Sequence, residues 1–399
     1  MKKIVLWYDD VDNLNCFNLD DSVYSQCTVV DFLKQHNIAF VIKYVNYDDF
    51  DRNDNNIYVI ELLNVYSDTN VFDSVSNNAF ELFRKGLKIL LYYPREGHRL
   101  EKWLSKLHRN IKEKHIDNKK VFLLFGDLDF EKTLYRDYIT NHNITNTINP
   151  LSIDFFCYDY FKKVDTINDD LNYKREYNFL SYNAKLRPHR LLTVFELVER
   201  NLIDNALVSF MCSTHTGEDY SLESAAEILQ VYGYKNKKIK EYVKNWEPLQ
   251  LDMFPNDINQ TNLNNTVINH YSSSYFSLIT EGSLDSRFIT EKTYKAIYNL
   301  HPFIVVGPCK FLEMLKEKGY KTFPELFDES YDNESDHVKR ILMVIDQVEQ
   351  FVKLPKQEKQ EKFKLIKEKL LFNKSIYLQN ANNNDVCKIF EQIGNTNVS

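Results

Sequence analysis

The first 126 residues repeat one pattern, a short uninterrupted apolar run followed by a longer amphipathic one. The apolar runs are KIVLWY (3–8), AFVIKYV (39–45), IYVIELL (57–63), KILLYY (88–93) and KVFLLFG (120–126). Each is too continuously apolar for a strand with one wet face, so each reads as a strand buried on both faces. Helical spacing fills the intervals at 22–37, about 74–85 and 99–114. Buried strands alternating with helices predict a doubly wound parallel sheet. In such a sheet ligands gather beyond the carboxyl ends of the strands. The sequence puts Asp9 and Asp10, Glu61 and Asn64, Arg95 and Glu96, and Asp127 and Asp129 there. DFFCYDYF (154–161) is expected to close this domain, and the polar stretch 164–176 to link it to the next.

The pattern then starts again. YNFLSY (177–182) is a strand, and a helix opens at Pro188, where a missing N–H costs nothing in the first turn. Lys185, Arg187 and Arg190 crowd that strand-to-helix turn, where backbone dipoles already favour an anion. After ALVSF (206–210) comes a loop with His215, which is more often structural than a ligand contact in such a place. YFSLIT (275–280) and HPFIVVG (301–307) are strands flanking an acidic loop and a helix that starts near Thr290. Thr290-Glu291-Lys292 has an ordinary use, because Thr caps a helix and Glu suits its positive end. The same three residues also suit a phosphorylated ligand. Free N–H groups and the Lys292 ammonium meet phosphate, and Glu291 accepts from sugar hydroxyls.

The run FITEKTYKAIYNLHPFIVVG resembles the donor-binding signature of the α-1,3-fucosyltransferases, in which an acidic loop precedes an aromatic, an aliphatic residue, Thr-Glu-Lys and a helix. SYFSLITE, FITEKTYKAI, HPFIVVG and GYKTFPELFDESYD are more similar still to glycosyltransferases of large tailed phages. The resemblance spans roughly residues 175–345. It implies a GT-B enzyme, α/β throughout, with two Rossmann-like domains whose parallel sheets face a cleft. The domains would be 1–165 on the acceptor side and 166–354 on the nucleotide-sugar side. A helical tail, 355–399, would pack back on the first. The resemblance implies a UDP- or GDP-linked sugar as co-substrate, no cofactor and no obligatory metal. Together with the residues just read, it makes Lys185, Arg187, Arg190, Glu281, Thr290, Glu291 and Lys292 the donor-binding candidates, and it carries Arg187 or Arg190 over as the phosphate clamp. It further implies inversion by a carboxylate base from the first domain. The match there carries no position over, so Glu96, Glu61, Asp10 and Asp127 are ranked by location, with Glu96 first.

Charge bears on the acceptor. The chain has a formal net charge of −7, which argues against a general nucleic-acid coat. Residues 84–120 nevertheless hold twelve basic side chains against four acidic ones. A solvated helix face is the plain account of such a run, and a groove for a polyanion the sharper one. Arg95, Arg99, Lys102, Lys106 and Arg109 are the acceptor candidates. With the phage resemblance they favour hydroxymethylated pyrimidines in DNA as acceptor. The alternatives are a glycan acceptor and a non-catalytic phage protein that keeps the fold. No apolar run reaches a membrane span, and MKKIVLWY leads straight into two aspartates, unlike a signal peptide. Six scattered cysteines without CxxC spacing read as free thiols of a cytoplasmic protein, in an infected host cell if phage-encoded. The dinucleotide fingerprint GxGxxG, the P-loop, the GxSxG elbow and HExxH are all absent from the sequence. Asp127-Leu128-Asp129 spells the DxD of metal-dependent sugar transferases, a short pattern that arises by chance among 57 carboxylates.

Overall fold

The structure is a computed structural model that describes residues 4–9, 29–35, 37–46, 48–51, 55–62, 70–93, 100–157, 171–213, 221–249, 251, 270–381 and 385–395. It divides into two compact units, Met1–Phe155 with Asn383–Ser399, and Phe156–Asn382.

The first unit is built on six parallel strands, β1 (Ile4–Tyr8), β2 (Phe40–Tyr44), β3 (Asn55–Glu61), β4 (Lys88–Tyr93), β5 (Val121–Phe125) and β6 (Asn149–Ser152). Their order is β2-β1-β3-β4-β5-β6. Every residue of β1 and β5 is buried, as strands covered on both faces must be. Helices Asn77–Lys85 and Leu100–Glu113 pack on the face that carries Trp7, Leu91, Leu123 and Phe125. The Asn77 helix starts where Ser76 accepts from Ala79 N at 3.2 Å and ends at Gly86, φ 111°, a conformation glycine adopts without strain. The final helix, Asp385–Asn395, belongs to this unit. Its Phe390 and Ile393 are fully buried, and Lys88 Nζ donates to the carbonyls of Ile393 and Gly394 at 2.6 and 2.8 Å.

The second unit holds β7 (Tyr177–Lys185), β8 (Leu207–Ser213), β9 (Ser274–Thr280) and β10 (Phe303–Val306), again all parallel, in the order β10-β9-β7-β8. Helices Pro188–Glu199, Glu291–Tyr298 and His337–Lys353 follow or cover these strands. Helices Lys356–Leu365 and Lys367–Ala381 stay with this unit. Tyr377 packs at a tilt against Tyr294 and edge-to-face against Tyr298, at 5.4 and 6.0 Å, and its hydroxyl donates to Cys157 O at 3.2 Å. Both units are thus Rossmann-like, the α/β class that the alternating runs predict.

Candidate functional site

Parallel strands aim their carboxyl ends at one edge of the sheet, and in the second unit three chemically active segments meet there. β7 ends at Lys185, and Arg187 is the N-cap of the Pro188 helix. β9 ends at Thr280 and hands over to Glu281. Thr290 caps the Glu291–Tyr298 helix, its hydroxyl accepting from Lys292 N at 3.3 Å. Lys292 Nζ donates to Glu291 Oε1 at 3.0 Å and to Thr290 Oγ1 at 3.4 Å. The seven residues expected to bind the donor therefore share one strand edge.

Their roles there differ. Arg190 is 4% exposed and its guanidinium donates to the carbonyls of Lys185, Thr280 and Glu281 at 3.2, 3.5 and 3.4 Å. Glu281 is completely buried. Its carboxylate accepts from Thr290 Oγ1 and Thr293 Oγ1, both at 2.6 Å, and from Thr290 N at 3.3 Å. Burial pushes that carboxyl above the ordinary range, and the Lys292 ammonium and the two threonine hydroxyls oppose the push. Lys185, Arg187, Glu291 and Lys292 are the partly exposed members of the group. Burial works against the charge of Glu291 too, yet Lys292 and Lys295 outweigh it and hold the carboxyl down to about 2. Glu291 is accordingly an ionised acceptor of hydrogen bonds at neutral pH.

Sequence reasoning overlooked His189. It lies between these groups, and its Nε2 donates to Glu281 O at 2.8 Å. Burial first, then the charge of Arg190, and after them those of Arg187 and Lys292, lower its pKa to about 3. The positive charge of three side chains from two helix openings thus disfavours a charged ring. Arg340, also overlooked, sits below the end of β10 and donates from Nε to Gly307 O at 3.0 Å. Nothing within three or four residues of Arg340 signals that partner. The acidic residues of FDESYD have structural partners. Glu329 accepts from Phe323 N and Thr322 Oγ1, and Asp328 from Ser330 N.

In the first unit, Asp9 closes β1 and accepts from Tyr58 OH at 2.8 Å and Ser76 N at 2.9 Å. Glu61 accepts from Val29 N at 2.9 Å, at the start of the Val29–Gln35 helix. Asp127 is completely buried and accepts from Asp129 N at 2.9 Å. Asp10, Arg95, Glu96, Arg99 and His215 lie outside the described residues. The Leu100–Glu113 helix buries Trp103, Leu104, Leu107 and Ile111. Lys102, Lys106 and Arg109, spaced i, i+4 and i+7, form its outer stripe, Lys102 and Arg109 exposed and Lys106 half-buried. Among the described residues no group of three or more His, Cys, Asp or Glu is placed to hold a metal ion. Among them too, no helix is long and apolar enough to cross a membrane.

No family model matches the chain, and no curated protein matches it in sequence. Solved structures similar to it include T4 phage β-glucosyltransferase in complex with UDP and Mn2+, at 11% identity and a TM-score of 0.44, with 99% of this chain and 100% of that one covered. The DNA-modifying enzyme β-glucosyltransferase, studied with and without uridine diphosphoglucose, gives 11% identity and a TM-score of 0.42 over the same coverage. An α-1,3-fucosyltransferase gives 10% identity and a TM-score of 0.32, with 94% of this chain and 91% of that one covered.

Proposed function

We propose that this chain is a glycosyltransferase that takes a sugar from a nucleoside-diphosphate donor and passes it to an acceptor hydroxyl. One observation carries the reading: Glu281 is hydrogen-bonded to the openings of both helices, the one that Arg187 caps and the one that carries Lys292, at the carboxyl edge of the second sheet. A departing nucleoside diphosphate needs its growing negative charge stabilised. Fixed cations and helix N-termini do this without reorganising. Arg187, Lys292 and Lys185 are the proposed phosphate contacts, and Glu291 the acceptor for ribose hydroxyls. Arg190 and Glu281 support them from beneath.

In the transfer, the acceptor oxygen bonds to the anomeric carbon as the bond from that carbon to the diphosphate breaks. The acceptor proton passes to a carboxylate, and the diphosphate leaves with the electron pair. Glu96 remains the proposed base. Glu61 and Asp127 are already engaged in a helix start and a turn. The outward stripe of Lys102, Lys106 and Arg109, together with the phage resemblance, favours DNA as the acceptor. A hydroxymethylated pyrimidine would then have to leave the base stack to be reached.

The test is a thermal-shift panel of UDP, GDP and their sugars, run with Mn2+ and with a chelator, on the native chain and on Lys292→Ala. Stabilisation by one nucleoside diphosphate, lost in the variant, is the expected result. Sugar transfer to duplex DNA containing 5-hydroxymethylcytosine supports the DNA acceptor, and transfer only to oligosaccharides points to a glycan. A chain that no nucleotide stabilises is not a transferase of this kind.

A further inference from the structure

Glu281 touches both helix starts, with different parts of itself. Its main-chain oxygen accepts from His189 Nε2 at 2.8 Å and from Arg190 at 3.4 Å, both on the Pro188–Glu199 helix. Its carboxylate accepts from Thr290 and Thr293, at the opening of the Glu291–Tyr298 helix. Its own N–H donates to Val306 O at 2.9 Å, which ties the joint to β10 as well. Every one of these residues is buried, and the carboxylate, carbonyl and N–H of Glu281 each have a partner of the right kind. We infer that Glu281 is a positioning residue, a joint that sets the distance between Arg187 and Lys292 rather than a donor contact. This rests on the reading of that edge as a diphosphate site. A diphosphate gains most from two cations whose helix openings are already held at a suitable spacing. The two helices that carry these cations belong to different strand-to-helix crossovers, and Glu281 is the residue bonded to both starts. His189 is its counterpart on the first helix, a buried imidazole whose protonated form the neighbouring cations disfavour.

A double-mutant cycle tests the joint. Thr293→Val keeps the shape of the side chain and removes one carboxylate contact, while His189→Ala removes the main-chain contact 92 residues away. Affinity for UDP, GDP and inorganic pyrophosphate is measured per folded molecule by calorimetry. Amide hydrogen exchange is followed at both helix starts without ligand. Each single variant is expected to weaken diphosphate binding about tenfold, and the double variant by little more, because the spacing is lost once. His189→Ala should also speed exchange at Thr290–Tyr294, on the other helix. Glu281→Gln should recover part of the affinity that Glu281→Ala loses. Additive losses, about a hundredfold in the double variant, or exchange confined to the mutated side, overturn the joint. If the native chain binds none of the three probes, the diphosphate reading fails. The exchange data then still decide whether Glu281 couples the helices.

Discussion

Replacing Arg340 by methionine tests the buried architecture beneath the site without reference to any ligand. Arg340 is 2% exposed and lowered in pKa chiefly by burial, so its charge is held at a desolvation cost. In return it donates to Gly307 O at 3.0 Å, Glu334 O at 2.5 Å, Ser335 O at 3.3 Å and His337 Nδ1 at 2.9 Å. Methionine fills much of the same space and donates nothing. The Gly307 carbonyl, buried at the end of β10, then loses its side-chain donor at about 1–3 kcal/mol. The remaining acceptors lie nearer to solvent and lose about 0.5–1 kcal/mol each. Relief from desolvating the guanidinium returns part of this, leaving a net loss of about 2–4 kcal/mol. For a unit of this size, 1 kcal/mol corresponds to about 2–4 °C. Differential scanning calorimetry should therefore show the second unit melting roughly 4–16 °C lower. Arg340→Lys, which reaches fewer carbonyls, should fall between the two. A methionine variant as stable as the native chain would refute this account and show that the guanidinium contributes nothing net.

Four further outcomes are expected. Arg187→Ala and Lys292→Ala should each weaken nucleoside-diphosphate affinity by about 1.5–3 kcal/mol, read by calorimetry, whereas Lys316→Ala, whose ion pair with Glu329 lies in the surface turn, should leave it unchanged. His189 and His301 keep neutral rings in the fold down to about pH 3, while the unfolded chain takes up protons from about pH 6.5. Stability is then whole above pH 6.5 and falls as pH drops, by up to about 2.7 kcal/mol per pH unit for two protons; denaturant titrations should show a slope about half as steep in His189→Asn. Gly394→Ala should destabilise the first unit by about 1–3 kcal/mol in chemical denaturation, since a Cβ there would come within 2.5 Å of Asn55 Nδ2. Changing Lys102, Lys106 and Arg109 together to alanine should reduce the salt dependence of duplex binding by about three in the log–log slope, and an unchanged slope would remove this helix from the acceptor surface.

Most of the fold was legible because the strands are continuously apolar and short, a pattern that leaves little choice but a covered parallel sheet. β6 escaped it, since Asn149–Ser152 reads as NPLS and is half-buried, with no apolar run to betray it. The edge proposed to bind the donor was legible wherever its residues also shape local structure. Thr290, Glu291 and Lys292 announce a helix start, and Lys185 to Arg190 crowd another. What stayed hidden depends on contacts far along the chain. His189 gains meaning only from Glu281, and Arg340 only from Gly307. Asp332 caps the Phe311–Glu317 helix from outside it, accepting from Leu312 N at 2.8 Å and Glu313 N at 3.1 Å. Glu281 illustrates the difference best. As letters it is an acid in a polar loop, and only burial and three donors show that its charge faces inward.

The return of the chain to its first unit has a consequence for synthesis. On the ribosome, residues 1–155 emerge first but lack the helix that brings Phe390, Ile393 and the carbonyls bonded by Lys88. The middle stretch, Phe156–Asn382, is continuous and carries every strand of its own sheet. The later-made stretch can thus mature before the earlier one, which waits for the helix Asp385–Asn395 to arrive and seal it.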